Sequence, residues 1–130
     1  MQTKIQKLSI HQFSPSCGKG DGVSKGMLFT RSLLRELGFH SEIYSELIQD
    51  GLESEVRPLS QLNLEAQDLL LVHFSLGYLN CAWLNEVKAA KLMVYHNITP
   101  PEFLPNNELP SLSRLGRQQL TMWNRDYVGA

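Results

Sequence analysis

Three apolar segments constrain the fold of this 130-residue chain more than any other feature, because each is followed by small or polar residues and then by a helical pattern. The segments are Lys4–Phe13, Asp68–Phe74 and Lys91–Tyr95. Short apolar runs are typical of strands that are covered on both faces, as in parallel sheets. Strands that alternate with helices form βαβ units. The chain is therefore predicted to be an α/β protein whose parallel sheet carries helices on both faces.

The elements between these strands are predicted from periodicity and from capping residues. A first helix is indicated by apolar residues at helical spacing: Val23, Met27, Leu34 and Leu37. Asp21 is its expected N-cap and Gly38 its expected left-handed C-cap. The remaining elements are a strand at Ser41–Ser45, a short strand near Val56 followed by a turn at Arg57–Pro58, a helix with Leu79, Ala82, Trp83 and Val87 inward, and a last helix over Ser111–Asn124.

Polar and glycine residues follow each predicted strand. His73 lies in the second segment near its end, His96 comes directly after the third, and a glycine loop, Gly20–Gly22, follows the first. Because parallel strands end at one edge of a sheet, we expect these groups to face a common crevice, where α/β sheets bind ligands. A structural hydrogen-bonding role is the alternative for each histidine.

The glycine loop does not match the nucleotide-binding motifs. In G-x-G-x-x-G, position 23 would be glycine, but it is Val23, and no G-x-x-x-x-G-K-[ST] occurs. Glycines still allow close backbone approach, and a helix N-terminus offers unpaired N–H groups to a phosphate. A solvent-exposed linker before the helix is the alternative.

Composition excludes several classes of function. The net charge of −1 and the lack of a Lys/Arg run argue against a nucleic-acid partner. No apolar run approaches the ~20 residues of a membrane span, and no signal peptide precedes the first strand, so a cytoplasmic location is expected. Cys17 and Cys81 are isolated and expected to be reduced, and no histidines lie at ligand spacing, so no metal is predicted.

Six segments distributed along the chain carry a family resemblance: His11–Phe13, Gly20–Val23, Leu33–Gly38, Ser41–Tyr44, His73–Gly77 and Tyr95–Phe103. Together they resemble the N-terminal domain of a GT-B fold glycosyltransferase of the retaining "group 1" family, similar to family 4. The last segment is the most specific. Many relatives have Gly-Asp-Ala in the loop, so Gly22 is a departure at the same place.

The resemblance implies a Rossmann-like domain that lines the acceptor side of a cleft, opposite a second domain that holds a nucleotide-sugar. That nucleotide-sugar is a co-substrate, and no cofactor is implied. The catalytic residue would be His96, which would hydrogen-bond a sugar hydroxyl and position the oxocarbenium-like centre. The donor diphosphate would lie near Gly20, Asp21 and Gly22. The acceptor, a glycan or a lipid-linked sugar, would contact His73, Ser75, Gly77, Asn97 and Thr99.

The family's donor-binding motif, Glu-x7-Glu, does not occur in the chain, since no two glutamates are eight positions apart. Residues 1–130 are therefore expected to be the acceptor-side domain alone, incomplete at its C-terminal end, inactive by itself and prone to form a homodimer. Four scattered basic residues favour a solvated helix face, with peripheral contact at the inner face of the membrane as the alternative: Lys19, Lys25, Arg31 and Arg35.

A second class of function stays open beside the glycosyltransferase. The chain has the size of a flavodoxin-like binding module, which would bind a small anion or a partner domain without chemistry. A nucleotide-dependent oxidoreductase is disfavoured by the glycine spacing.

Overall fold

A computed structural model of the chain describes residues 8–18, 22–74 and 82–96, and residues 111, 114, 115, 118 and 119. The elements, in chain order, are strand β1 (Ile10–Cys17), helix α1 (Gly22–Glu36), strands β2 (Ile43–Ile48) and β3 (Arg57–Pro58), a 3₁₀ turn (Leu59–Gln61), strand β4 (Leu69–Phe74), helix α2 (Ala82–Glu86) and strand β5 (Ala90–Tyr95). None of the described helices is both long and apolar enough to cross a membrane.

The five strands form one sheet in the order β3-β2-β1-β4-β5, and every pair is parallel. The chain moves outward from β1 to β3 on one side and then returns to place β4 on the other side of β1. This reversal is the topological switch point of a Rossmann-like sheet. The predicted α/β class with a parallel sheet is confirmed. The described residues beyond position 110 are helical, in agreement with the last predicted helix.

Two apolar cores lie on opposite faces of the sheet, because successive residues of a strand point to opposite sides. Gln12 of β1 reaches α1 through the Met27 carbonyl, whereas the neighbouring Phe13 contacts the Trp83 ring next to Leu84 of α2. The core on the α2 side contains Phe13, Tyr44, Leu70, Val72, Phe74, Leu84 and Met93. The core on the α1 side contains Cys17, Met27, Ile43, Leu52 and Val56. Helices therefore cover both faces, as predicted.

Strand β1 begins later and ends later than the sequence predicts. It continues through Ser14–Cys17, which the sequence assigns to a polar loop, while the residues before Leu8 lie outside the described part of the chain. The extension is paired with β2 as far as Cys17 and Ile48. The Ser14 hydroxyl donates to the Ser16 carbonyl at 3.1 Å, which satisfies a polar side chain inside the strand. Pairing with β2 thus outweighs the polar local sequence.

The sheet forks at its carboxyl edge, between β1 and β4. These two strands pair only as far as Phe13 and Val72; beyond that point β1 continues beside β2, and β4 continues beside β5. The amides of Ile10 and Gln12 point toward the β2 side, so the odd-numbered residues of β1 face β4 as far as Phe13. The alternation changes before Cys17, whose carbonyl accepts from the Gln49 amide on the β2 side. Pro15 holds the next odd position after Phe13 and has no N–H to offer. The fork therefore begins where a proline removes a donor.

Helix α1 ends as predicted, but its buried face differs. Gly38 has φ +96°, and the amides of Gly38 and Phe39 bond the carbonyls of Arg35 and Leu34, which is a Schellman cap. Leu37, predicted to face inward, is 74% exposed because it follows the last helical residue and belongs to the cap.

Arg31, predicted to lie off the apolar stripe of α1, is buried. It lies one turn after the fully buried Met27, and its guanidinium donates to the carbonyl and the carboxylate of Glu55. These bonds give two of the three guanidinium nitrogens a partner, whereas the buried Nε has none among the described residues.

Strand β3 occupies Arg57–Pro58, which the sequence assigns to a turn, because these residues pair with Tyr44 and Ser45 of β2. The last two strands agree more closely with the sequence. Strand β4 has the predicted end at Phe74, and β5 the predicted end at Tyr95. In α2 the buried residue is Leu84, whereas Ala82, predicted to face inward, is exposed, because the helix has five residues and presents only its middle to the sheet.

Candidate functional site

Three polar side chains cross the α1 face of the sheet diagonally, from the centre toward the carboxyl edge of β5. In the register of the strands, Gln12 is opposite Leu71, and His73 is opposite Val94. His73 therefore lies two residues beyond the position opposite Gln12, and His96 lies two residues beyond the position opposite His73. All three side chains point to the same face. We call them the Gln-His-His chain.

The members of the Gln-His-His chain are joined by hydrogen bonds at short distances. Gln12 Nε2 donates to the Met27 carbonyl of α1 at 2.9 Å. Gln12 Oε1 lies 2.8 Å from His73 Nε2, and His73 Nδ1 lies 2.9 Å from His96 Nε2. The two imidazole rings are inclined by only 21°, with centres 5.2 Å apart, as expected for rings joined nitrogen to nitrogen nearly in one plane. The His96 amide donates to the Phe74 carbonyl, which fixes the backbone at the rim.

The direction of these bonds follows from the one group that can only accept. A backbone carbonyl carries no proton, so the Met27 oxygen must face the amide nitrogen of Gln12. The Gln12 oxygen then faces His73 and accepts the proton of Nε2. This assignment comes from the donors and acceptors of the network, which is how amide and imidazole orientations are established.

His73 is electrically neutral in this environment. Burial and then the neighbouring His96 lower the pKa of His73 from 6.5 to about 4. A neutral imidazole whose Nε2 carries the proton has a bare Nδ1, which must accept from His96. Gln12 is fully buried, His73 is 7% exposed and His96 is half-buried. The site is thus polar and directional but carries no charge on its two inner members.

The structure brings together two of the residues that the sequence selected. His73 and His96 are in direct contact at the carboxyl edge, and Gly22 begins α1. Gly22 is exposed, and a Cβ added there would meet nothing within 4 Å. Gly18 is tied to the first turn of α1 by its amide, which donates to the Ser24 hydroxyl. The other selected residues lie outside the described part of the chain: Gly20, Asp21, Ser75, Gly77, Asn97 and Thr99.

Gln12 is the member that the sequence did not single out. The signal available was a polar residue directly before the bulky apolar Phe13 in a predicted strand, because buried polar side chains need partners. Which residue bonds to Gln12 is decided by the register between β1 and β4, and the sequence alone does not give that register.

His11 belongs to a different environment, on the opposite face of β1. Its Nδ1 accepts from the Glu42 amide at 3.1 Å, and its ring makes edge contacts with His40 and Tyr44. Burial, followed by the charge of His40, lowers the pKa of His11. In the residues that the structure describes, no group of three or more histidine, cysteine or acidic side chains is placed to hold a metal ion.

Comparison of the chain with protein-family models, with curated proteins and with solved structures finds no match. What the protein does must therefore follow from its own residues. The residues that bear on it most directly are the Gln-His-His chain and the fork beside it.

Proposed function

We propose that this chain is the acceptor-side, N-terminal domain of a retaining GT-B glycosyltransferase of the group 1 type. The full enzyme would move a sugar from a nucleotide-sugar to a glycan or a lipid-linked acceptor on the cytoplasmic side of the membrane. The observation that carries the proposal is the contact between His73 and His96 at the carboxyl edge of a parallel sheet, beside its switch point. Both histidines belong to segments that resemble the family.

The chemistry of the site supports a hydroxyl-rich ligand. Sugar hydroxyls bind through directional hydrogen bonds and need no opposite charge. Phosphates are instead matched by Arg and Lys. His73 is neutral at ordinary pH, and Gln12 is uncharged, so the buried part of the site offers direction without charge. The half-buried His96 lies at the end of this arrangement, where a ligand can reach it.

In the proposed reaction, His96 hydrogen-bonds a sugar hydroxyl and helps to hold the reacting carbon. Departure of the nucleoside diphosphate leaves negative charge on its outer phosphate. The first amides of α1, which begins at Gly22, would stabilise this charge across the cleft. The leaving phosphate itself would take the proton of the acceptor. A second domain, carrying Glu-x7-Glu, would bind the donor.

Histidine NMR on the chain tests this proposal. The chain, labelled with ¹⁵N-histidine, is titrated with methyl glycosides of glucose, mannose, galactose and N-acetylglucosamine. We expect at least one neutral saccharide to shift the imidazole signals of His73 and His96 in the millimolar range. His96→Phe should weaken that binding roughly tenfold, the effect of losing one hydrogen bond.

A matched control comes from the opposite edge of the sheet. His40 is exposed and lies near Ser9, far along the strands from His96, so His40→Gln should leave saccharide binding unchanged. If no saccharide shifts the signals and inorganic phosphate does, the chain is better described as a binding module for a small anion. Turnover of any nucleotide-sugar by the chain alone would also contradict the proposed division of labour.

A further inference from the structure

We propose that Gln12 and His73 are positioning residues that hold Nδ1 of His96 as a hydrogen-bond acceptor, so that the ligand group at His96 is a hydroxyl. The hydroxyl part of this inference rests on the proposed function. The part that concerns the proton positions rests only on the bonds of the Gln-His-His chain.

The donor-to-acceptor direction of the hydrogen bonds in the Gln-His-His chain is set by the backbone of α1. The Met27 carbonyl turns the amide of Gln12, the Gln12 oxygen takes the Nε2 proton of His73, and Nδ1 of His73 is left as an acceptor. His96 must then carry its proton on Nε2, the nitrogen 2.9 Å from His73. Each step leaves only one arrangement of protons for the next.

Reversing this direction has a specific obstacle. For His96 to present a proton on Nδ1 in its neutral form, His73 would have to donate to His96 and accept from Gln12. The Gln12 amide would then have to rotate, which would place its oxygen against the Met27 carbonyl at the present 2.9 Å. Two buried acceptors would face each other without a proton between them, and one hydrogen bond would be lost.

This direction of the hydrogen bonds determines the protonation of the second ring nitrogen of His96, Nδ1. With its proton on Nε2, a neutral His96 presents a bare Nδ1, and this atom has no protein partner among the described residues. A ligand hydroxyl can donate to such an atom. An unprotonated phosphate or sulfate oxygen cannot, because two lone pairs would face each other. His96 thus selects for donors, although histidine is often regarded as an anion-binding residue.

Proton positions on the two imidazoles can be measured without any ligand. Long-range ¹H–¹⁵N spectra of the histidine-labelled chain at about pH 8, above the ordinary histidine pKa of about 6.5, distinguish the two neutral tautomers. We expect both His73 and His96 to carry the proton on Nε2. A wild-type His96 with its proton on Nδ1 would overturn the proposal, whatever the saccharide titrations show.

Two substitutions at His73 and one at Gln12 separate positioning from general structure. His73→Leu and Gln12→Leu both break the sequence of donors and acceptors, and we expect His96 to become a mixture of tautomers. His73→Asn keeps an oxygen near the place of Nδ1, so His96 should remain protonated on Nε2. Circular dichroism confirms that each variant is folded. If His96 keeps one tautomer in both leucine variants, Gln12 and His73 do not position it.

The ligand class is tested with a donor and with a pure acceptor. The methyl glycosides carry hydroxyls, whereas sulfate carries no proton at about pH 8. We expect a glycoside to shift the His96 signals of the wild-type chain, and sulfate at equal concentration to leave them unchanged. We also expect His73→Leu to weaken glycoside binding several-fold, with His73→Asn closer to wild type. A response to sulfate alone, or to neither probe, would overturn the hydroxyl assignment even if the tautomers are as proposed.

Discussion

The polar side chains at the two ends of the sheet are arranged in different ways. At the amino end, three arginines and two glutamates form an ion-pair cluster, which we call the amino-end cluster: Arg31, Arg35, Arg57, Glu42 and Glu55. Arg35 and Arg57 lie 3.1 and 3.2 Å from the two carboxylate oxygens of Glu42, and Arg31 pairs with Glu55. At the carboxyl end, the Gln-His-His chain uses neutral hydrogen bonds and stops at the half-buried His96.

The amino-end cluster is a structural arrangement, whereas the Gln-His-His chain is suited to binding a ligand. In the amino-end cluster every charged group has an opposite charge beside it, with Arg35 and Arg57 sharing the Glu42 carboxylate. Burial raises the pKa of Glu42, but the hydrogen bond and charge of Arg57, with Arg35 and Arg31, outweigh it and lower the pKa overall. The stabilising effect of the ionised Glu42 carboxylate is therefore present above about pH 4.5 and is lost as the pH falls further. The Gln-His-His chain instead ends on Nδ1 of His96, a nitrogen that has no partner among the residues the structure describes.

The largest expected effect is a loss of stability at low pH, caused by the buried His73. The pKa of His73 is about 4 in the folded chain and 6.5 in the unfolded one, so only the unfolded chain binds this proton between those values. Stability is fully present above pH 6.5 and falls as the pH drops toward 4, by about 3 kcal/mol in all. Urea unfolding of wild type and His73→Asn at about pH 7 and about pH 4 measures the difference. Equal pH dependence of the two proteins would contradict a neutral buried His73.

Breaking the ion pair of the buried Arg31 should have the next largest effect. Arg31→Met keeps an apolar stem but removes the bonds to the Glu55 carbonyl and carboxylate, and should lower the free energy of unfolding by about 2 kcal/mol. Arg35→Met is the control, because that side chain is about half exposed and should matter less. Urea unfolding at neutral pH gives both values. An Arg31→Met protein as stable as the control would show that this pair is not structural.

The exposed ion pair should have the smallest effect and the strongest salt dependence. The Arg57 side chain is 53% exposed, so Arg57→Met should lower stability by about 0.5 kcal/mol. In about 1 M salt this loss should disappear, because the Debye length is then only about 3 Å. The loss in Arg31→Met should persist there, since Arg31 is buried. A salt-insensitive Arg57→Met would mean that its contribution comes from packing.

The strands differ in how far the sequence alone could predict them. Strand β4 is a run of apolar residues around His73, and its end is predicted correctly because burial on both faces leaves a plain hydrophobic signal. The last half of β1, Ser14–Cys17, has no such signal. It is a strand because β2 lies beside it, and that neighbour is separated from it by a whole helix in the sequence.

The candidate site was also predictable only in part. That His73 and His96 lie close together was predictable, since both are at the ends of parallel strands and these ends share one edge. The link to Gln12 was not, because it requires the two-residue offset between β1 and β4. Register is fixed by tertiary pairing, and a shift of one strand by one residue would turn the side chains of that strand to the other face.

Pro15 makes the opening between β1 and β4 a covalent property of the chain. Neighbouring parallel strands normally continue their pairing through evenly spaced backbone hydrogen bonds. Here the donor that would face β4 is an imino nitrogen inside a ring, so neither pH nor salt can supply it. A molecule that binds beside these strand ends would therefore not have to compete with the backbone for that bond.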